Sequence, residues 1–215
     1  MTRDDEALSP DRAAALLRQQ EELQAQARAV LADLRLMDAV AQVGMPVHIG
    51  SSVLGLMVWR DIDVTVVSPG LSAARAFQIM QPVLTHPRVA QARYVNETRP
   101  LNDTKPPHDE RYYFAAFYRA EPTTDWKIDV SFWTSAAPRH EPAYMEATSH
   151  KLTDETRLAI LWIKDIWHRL PAYRTEVVSM DIYDAVLDHG VHTPAEFDAY
   201  LRERGKPPRR TSHWA

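Results

Sequence analysis

The corner Ile49-Gly50-Ser51 is followed, after nine intervening residues, by Asp61-Ile62-Asp63-Val64, and this pairing constrains the chain more than any other feature. Strand side chains alternate between faces, so Asp61 and Asp63 project together while Ile62, Val64 and Val66 take the other side. Paired carboxylates add nothing to a core. At about 5 Å and an effective dielectric near 20, two unit charges repel by roughly 3 kcal/mol. A divalent cation between them relieves that repulsion. The Gly-Ser corner opens a short helix, and a helix N-terminus favours the phosphates such a cation would carry.

A third acid has the right setting. In the predicted strand Trp126–Trp133, Ile128, Val130 and Phe132 form one face and Lys127, Asp129 and Ser131 the other. If this strand neighbours that of Asp61, all three acids meet on one side of a sheet. Oxygen-only ligands suit Mg²⁺ or Mn²⁺ rather than zinc. An isolated Asp-x-Asp is equally the wet face of a half-buried strand, and Ile-Asp-Val is a common tripeptide. The Gly-Ser corner at this distance is what tips the balance toward a metal site.

Taken together, the corner, the Asp-x-Asp pair and the later Ile128-Asp129-Val130 resemble the nucleotidyltransferase superfamily, in its DNA polymerase β-like form. The resemblance covers Pro46 to Trp133 and singles out no subfamily. It implies transfer of a nucleoside monophosphate from an NTP to an acceptor hydroxyl with release of pyrophosphate, dependent on Mg²⁺ (or Mn²⁺). Asp61, Asp63 and Asp129 would be the catalytic metal ligands. Gly50, Ser51 and Ser52 would hold the nucleotide; Lys127, on the Asp129 face, either neutralises a phosphate or is a plain surface lysine. Antibiotic-modifying members join such a core to C-terminal helices, while others act on RNA or on proteins. The rival reading is a non-catalytic nucleotide-binding or protein-interaction module that retains the fold; the presence of all three acids weighs against it.

Charge bears on the acceptor. Over 215 residues the net charge is -4, whereas non-specific nucleic-acid binding rests on a basic surface. A small-molecule acceptor is therefore favoured over nucleic acid. The chain has no cysteine, hence no thiolate zinc site or disulfide. It has no apolar run of membrane-spanning length, and its acidic start, Met1 to Glu6, lacks the apolar stretch of a secretory signal. A cytoplasmic setting is the expectation.

The pattern predicts an α+β fold: a mixed β-sheet core with helices on one side, an N-terminal helix and a C-terminal helical bundle. The expected divisions are 1–44, 45–137 and 138–215. Ser9-Pro10 starts a helix reaching about Val43, with Leu16, Leu23, Val30, Leu34 and Met37 on its apolar face. Strands are expected at 46–49, 61–67, 88–96, 112–119 and 126–133. Helices are expected at 51–58 and 71–84, the second with Phe77, Met80 and Leu84 at helical spacing and with Pro82 spoiling its last turn. A Pro-rich loop spans 99–110, and Glu121-Pro122-Thr123-Thr124 turns the chain. Further helices follow at Thr153 and over 176–189 and 194–204, the last with a Thr193/Glu196 capping box, before an unstructured tail at 206–210.

Among the remaining polar residues, Lys151 and Arg157 either reach a triphosphate or are plain solvated charges. His108 and Asp109 face an acceptor or solvent. His48 is an ordinary strand residue, and Trp162 and Trp167 belong to a helical core.

Overall fold

The computed structural model describes residues 7–101, 106–122 and 124–209. The sheet contains five strands: β1 (Pro46–Ile49), β2 (Asp61–Val67), β3 (Val89–Asn96), β4 (Arg111–Glu121) and β5 (Thr124–Trp133). Their spatial order is β1-β2-β5-β4-β3, with β2 and β5 parallel and every other pair antiparallel. A mixed sheet follows from short links such as β4 to β5, which leave no room for a crossover helix. Among the described residues eight α-helices accompany it: α1 (Pro10–Asp33), α2 (Leu36–Val40), α3 (Ser51–Leu54), α4 (Ala73–Leu84), α5 (Glu141–Lys151), α6 (Asp154–Trp167), α7 (Ser179–His189) and α8 (Pro194–Glu203). Among the described residues no helix is long and apolar enough to cross a membrane.

The chain forms two compact units that cut across its linear order. One runs from Leu23 to Leu54 and from Trp59 to Met145, and contains the sheet. Its apolar face presents Ile62, Val64, Val66, Phe114, Trp126, Ile128, Val130 and Phe132, all buried. Helices cover that face: Phe77 of α4 packs its ring 5.2 Å from Phe114, and Tyr118 donates to Asp33 at the end of α1 over 2.7 Å. The opposite face carries Asp61, Asp63 and Asp129.

The other unit comprises residues up to Glu22, Gly55–Val58 and Glu146 onward. Its axis is α6, buried continuously from Ala159 to Trp167, with the Trp167 ring edge-on to Phe197 of α8 at 5.4 Å. Trp162 and Trp167 are indeed core. Lys164 is also fully buried; its ammonium donates to the Leu56 carbonyl (2.7 Å) and the Tyr183 hydroxyl (3.0 Å). Arg157 donates to the neighbouring Gly55 carbonyl over 2.9 Å, so two cations of α6 grip consecutive carbonyls in 55–58. Arg157 and Lys151, weighed above as phosphate contacts, have such structural partners; Lys151 pairs with Asp188.

Local signals held where they were short-range. Ser9 accepts from the Arg12 N–H at 3.3 Å, and Thr193 and Glu196 form the expected capping box. Four expectations need correcting. The N-terminal helix breaks at Arg35, whose φ of 47° is left-handed; the kink buries both Leu34 and Leu36 and leaves Met37 half-exposed. The helix from Ser51 stops at Leu54 because Gly55, at φ 69°, turns the chain into the 55–58 segment. Pro82 lies within α4, whose last turn survives because the Thr85 N–H still reaches Gln81 O at 2.9 Å. Its buried face is Ala76, Ile79, Met80 and Val83, while Phe77 is 43% exposed. The tail is ordered over 206–209: Lys206 bonds Asp181 at 2.6 Å and Arg209 pairs with the buried Asp198 at 2.8 Å. Thr123, residues 102–105 and Arg210 lie outside the described residues.

Candidate active site

Strand pairing decides the geometry of the acids. In the parallel β2–β5 ladder, Asp63 stands opposite Asp129 and Asp61 opposite Lys127. Alternation then puts all four side chains on one face, as the sequence pattern requires if the strands are neighbours. Beyond them, Thr65 pairs with Ser131 and Ser131 with Tyr113 of β4, extending a polar strip across three strands.

The Gly-Ser corner abuts this strip. Gly50 has φ 84°, a left-handed conformation that glycine adopts without strain. A Cβ there would lie 2.6 Å from Asp63 Oδ2, so the corner and the carboxylate are in immediate apposition. Gly50→Ala is accordingly expected to push Asp63 aside and add roughly 1–2 kcal/mol of backbone strain. A lowered melting temperature together with lost activity checks this; an alanine variant with unimpaired activity contradicts it.

Ser51 begins α3, and the first N–H groups bonded within that turn are those of Val53 and Leu54, both onto Gly50 O. The N–H groups of Ser51 and Ser52 precede them, as at any helix start. The Ser52 hydroxyl is turned inward: it is buried and lies 2.7 Å from His48 Nε2. Burial lowers the pKa of His48, which favours its neutral form.

Lys127 is bonded to Asp129 Oδ2 and its Nζ lies 3.9 Å from Asp61 Oδ1. Burial alone would lower its pKa, but the hydrogen bond to Asp129 and the charges of Asp61 and Asp129 outweigh it, and the net direction is upward. Tyr113 is raised by burial and by the adjacent Asp129 charge, so it stays a neutral phenol. A cavity of about 250 Å³ opens beside Asp63 and Asp129, lined also by Arg111, Tyr113, Ser131 and Glu141.

Three walls of that cavity, Arg111, Tyr113 and Glu141, are residues that pattern reasoning passed over. Arg111 donates to Ser131 Oγ at 3.0 Å and to Glu97 at 2.5 Å. Arg139 lies 3.5 Å from the Trp133 ring centroid and is tied to Glu141 (2.7 Å) and Asp109 (3.1 Å), as well as to the His108 carbonyl. His108 and Asp109 therefore serve to fix Arg139. The Arg111 and Tyr113 alternation on β4 is visible in the sequence; the Arg139 contacts are not.

As placed, among the described residues no group of three or more His, Asp or Glu side chains is ready to hold a metal ion. Asp63 Oδ2 stands against the Gly50 backbone, and Lys127 is bonded to Asp129. The donor set nonetheless fits a hard cation. All three acids offer oxygen, and Asp129 Oδ1 is buried with no hydrogen-bond partner.

A mixed sheet with an acid on each of two adjacent parallel strands, next to a Gly-Ser corner, is the fold expected from the resemblance to DNA polymerase β-like nucleotidyltransferases. Solved structures agree. Cid1, in a study of its RNA terminal uridylyl transferase activity, superposes with a TM-score of 0.58 at 15% identity, over 86% of this chain and 54% of Cid1. The Cid1 poly(U) polymerase bound to MgGTP gives 0.58 at 14% identity, over 85% and 57%. A cytoplasmic RNA terminal U-transferase gives 0.55 at 14% identity, over 80% and 50%. The chain thus spans about half the length of the solved structures it matches. No protein-family model matches the chain, and no curated protein does.

Proposed function

We propose that this protein transfers a nucleoside monophosphate from an NTP to an acceptor hydroxyl. The acceptor oxygen forms a bond to the α-phosphorus, the bond from that phosphorus to the bridging oxygen breaks, and pyrophosphate leaves with that oxygen. The observation that carries the reading is the Asp63–Asp129 register beside Gly50. A divalent cation held by Asp61, Asp63 and Asp129 would neutralise phosphate charge and lower the pKa of the attacking hydroxyl. Asp129, facing the cavity, accepts the acceptor's proton. Gly50 lets the backbone approach the phosphates without a side chain in the way, and the Ser51 N–H and hydroxyl bind them. Ser52 supports that turn from within through His48, and its role is the backbone N–H.

The acceptor we favour is the terminal hydroxyl of an RNA, because the structures matched are named as RNA terminal U-transferases and a poly(U) polymerase. This reverses the preference for a small molecule drawn from charge. The net charge of -4 keeps a small-molecule acceptor as the second reading.

The test is incubation with each labelled NTP and Mg²⁺ or Mn²⁺ alongside three acceptors: an RNA oligonucleotide with a free terminal hydroxyl, the same RNA blocked there, and a small-molecule extract. Label on the free RNA alone supports the first reading, and label in the extract the second. No transfer under any condition overturns both and leaves the binding-module alternative.

A further inference from the structure

Lys127 sits among the acids in a way that the transfer chemistry leaves unexplained. Its ammonium bonds Asp129 and lies 3.9 Å from Asp61, on the strand that also carries Asp129 two residues on. Asp129 stands opposite Asp63 in the β2–β5 register yet gives Oδ2 to Lys127, whose side chain is 30% exposed. Three carboxylates on one sheet face repel strongly when unneutralised, and a half-buried ammonium close to two of them offsets that repulsion.

We infer that Lys127 is the resident counter-ion of the acidic face: it holds Asp61 and Asp129 in the metal-free protein and releases Asp129 when a divalent cation binds. The inference rests on the nucleotidyl-transfer reading of the three acids. It assigns Lys127 a positioning role in competition with metal, rather than the phosphate contact that its residue type alone suggests. Two consequences follow from electrostatics. The lysine weakens divalent binding, because the cation must displace a bonded positive charge. It also steadies the empty site, because without it the acids face one another.

Mn²⁺ binding to the full chain, read from the free-ion signal by electron paramagnetic resonance, tests this without nucleotide or turnover. Lys127→Met keeps the aliphatic stem and removes the charge. It should bind Mn²⁺ at least about tenfold more tightly than wild type. Its metal-free melting temperature should fall and its Mn²⁺-induced rise should grow. Lys127→Arg, which keeps the charge, should show no tightening. Lys127→Gln gives the same reading as methionine should that variant not fold. Equal or weaker Mn²⁺ binding in the uncharged variants, with wild-type binding still abolished by Asp63→Asn, overturns the counter-ion role and leaves the metal site standing. Wild-type Mn²⁺ binding that is absent, or indifferent to Asp63→Asn, overturns the metal site itself.

Discussion

Asp63→Asn is expected to reduce nucleotidyl transfer by at least about a thousandfold, equivalent to about 4 kcal/mol of transition-state stabilisation. Asparagine keeps the size and the strand position but offers one neutral oxygen where a carboxylate offers two charged ones. Asp63 faces Asp129 across the β2–β5 ladder and has the Gly50 corner against its Oδ2, so in the proposed reaction it is the acid common to the cation site and the phosphate turn. The fold should survive, because removing one of several like charges from the polar face lowers their mutual repulsion. Transfer of labelled NMP, measured beside thermal unfolding, checks both halves. A stable Asp63→Asn protein with near wild-type activity contradicts the assignment. Asp129→Asn should lose activity to a similar degree while also freeing Lys127.

The largest effect on stability is expected from Lys164→Ala, about 3–5 kcal/mol, or on the order of 10 °C in melting temperature. Lys164 is fully buried in α6, so alanine leaves a cavity where the aliphatic stem was. It also strands the Leu56 carbonyl, which loses its donor in a place water does not reach, and it strips the Tyr183 hydroxyl of a partner. Lys164→Met should cost less, since it refills the stem and removes the buried charge with its desolvation cost. Chemical denaturation of the three proteins measures the difference. Equal stability of the alanine variant and wild type would show that the 55–58 segment is held without this lysine.

Much of the site could be seen in the sequence because its signals are short-range. The Gly50 corner, the Asp61/Asp63 alternation and the Ile128-Asp129-Val130 pattern each depend on a few consecutive residues and their backbone periodicity. Helix caps at Ser9 and Thr193 belong to the same class. The errors occurred where a local preference met a packing demand. Leu34 and Leu36 are both buried, while an amphipathic helix with one apolar face turns adjacent-but-one positions about 200° apart; the left-handed Arg35 settles that conflict. Phe77 has the spacing of a buried residue, yet α4 turns Ala76, Ile79 and Val83 inward and leaves Phe77 against Tyr94 at 4.6 Å.

By itself, then, the sequence determined which residues form strands, which faces are apolar, and that acids at 61, 63 and 129 share a face if their strands are neighbours. Only the tertiary structure decided that β2 and β5 are those neighbours, in parallel and with Asp63 opposite Asp129. It also decided that Lys127 binds an acid, that Lys164 is buried, and that Arg209 pairs with Asp198. The physical reason is range. Periodicity and capping act over a few residues of backbone, whereas strand register and the fate of a long cationic side chain are set by whichever distant carbonyl or carboxylate the packed core brings within reach.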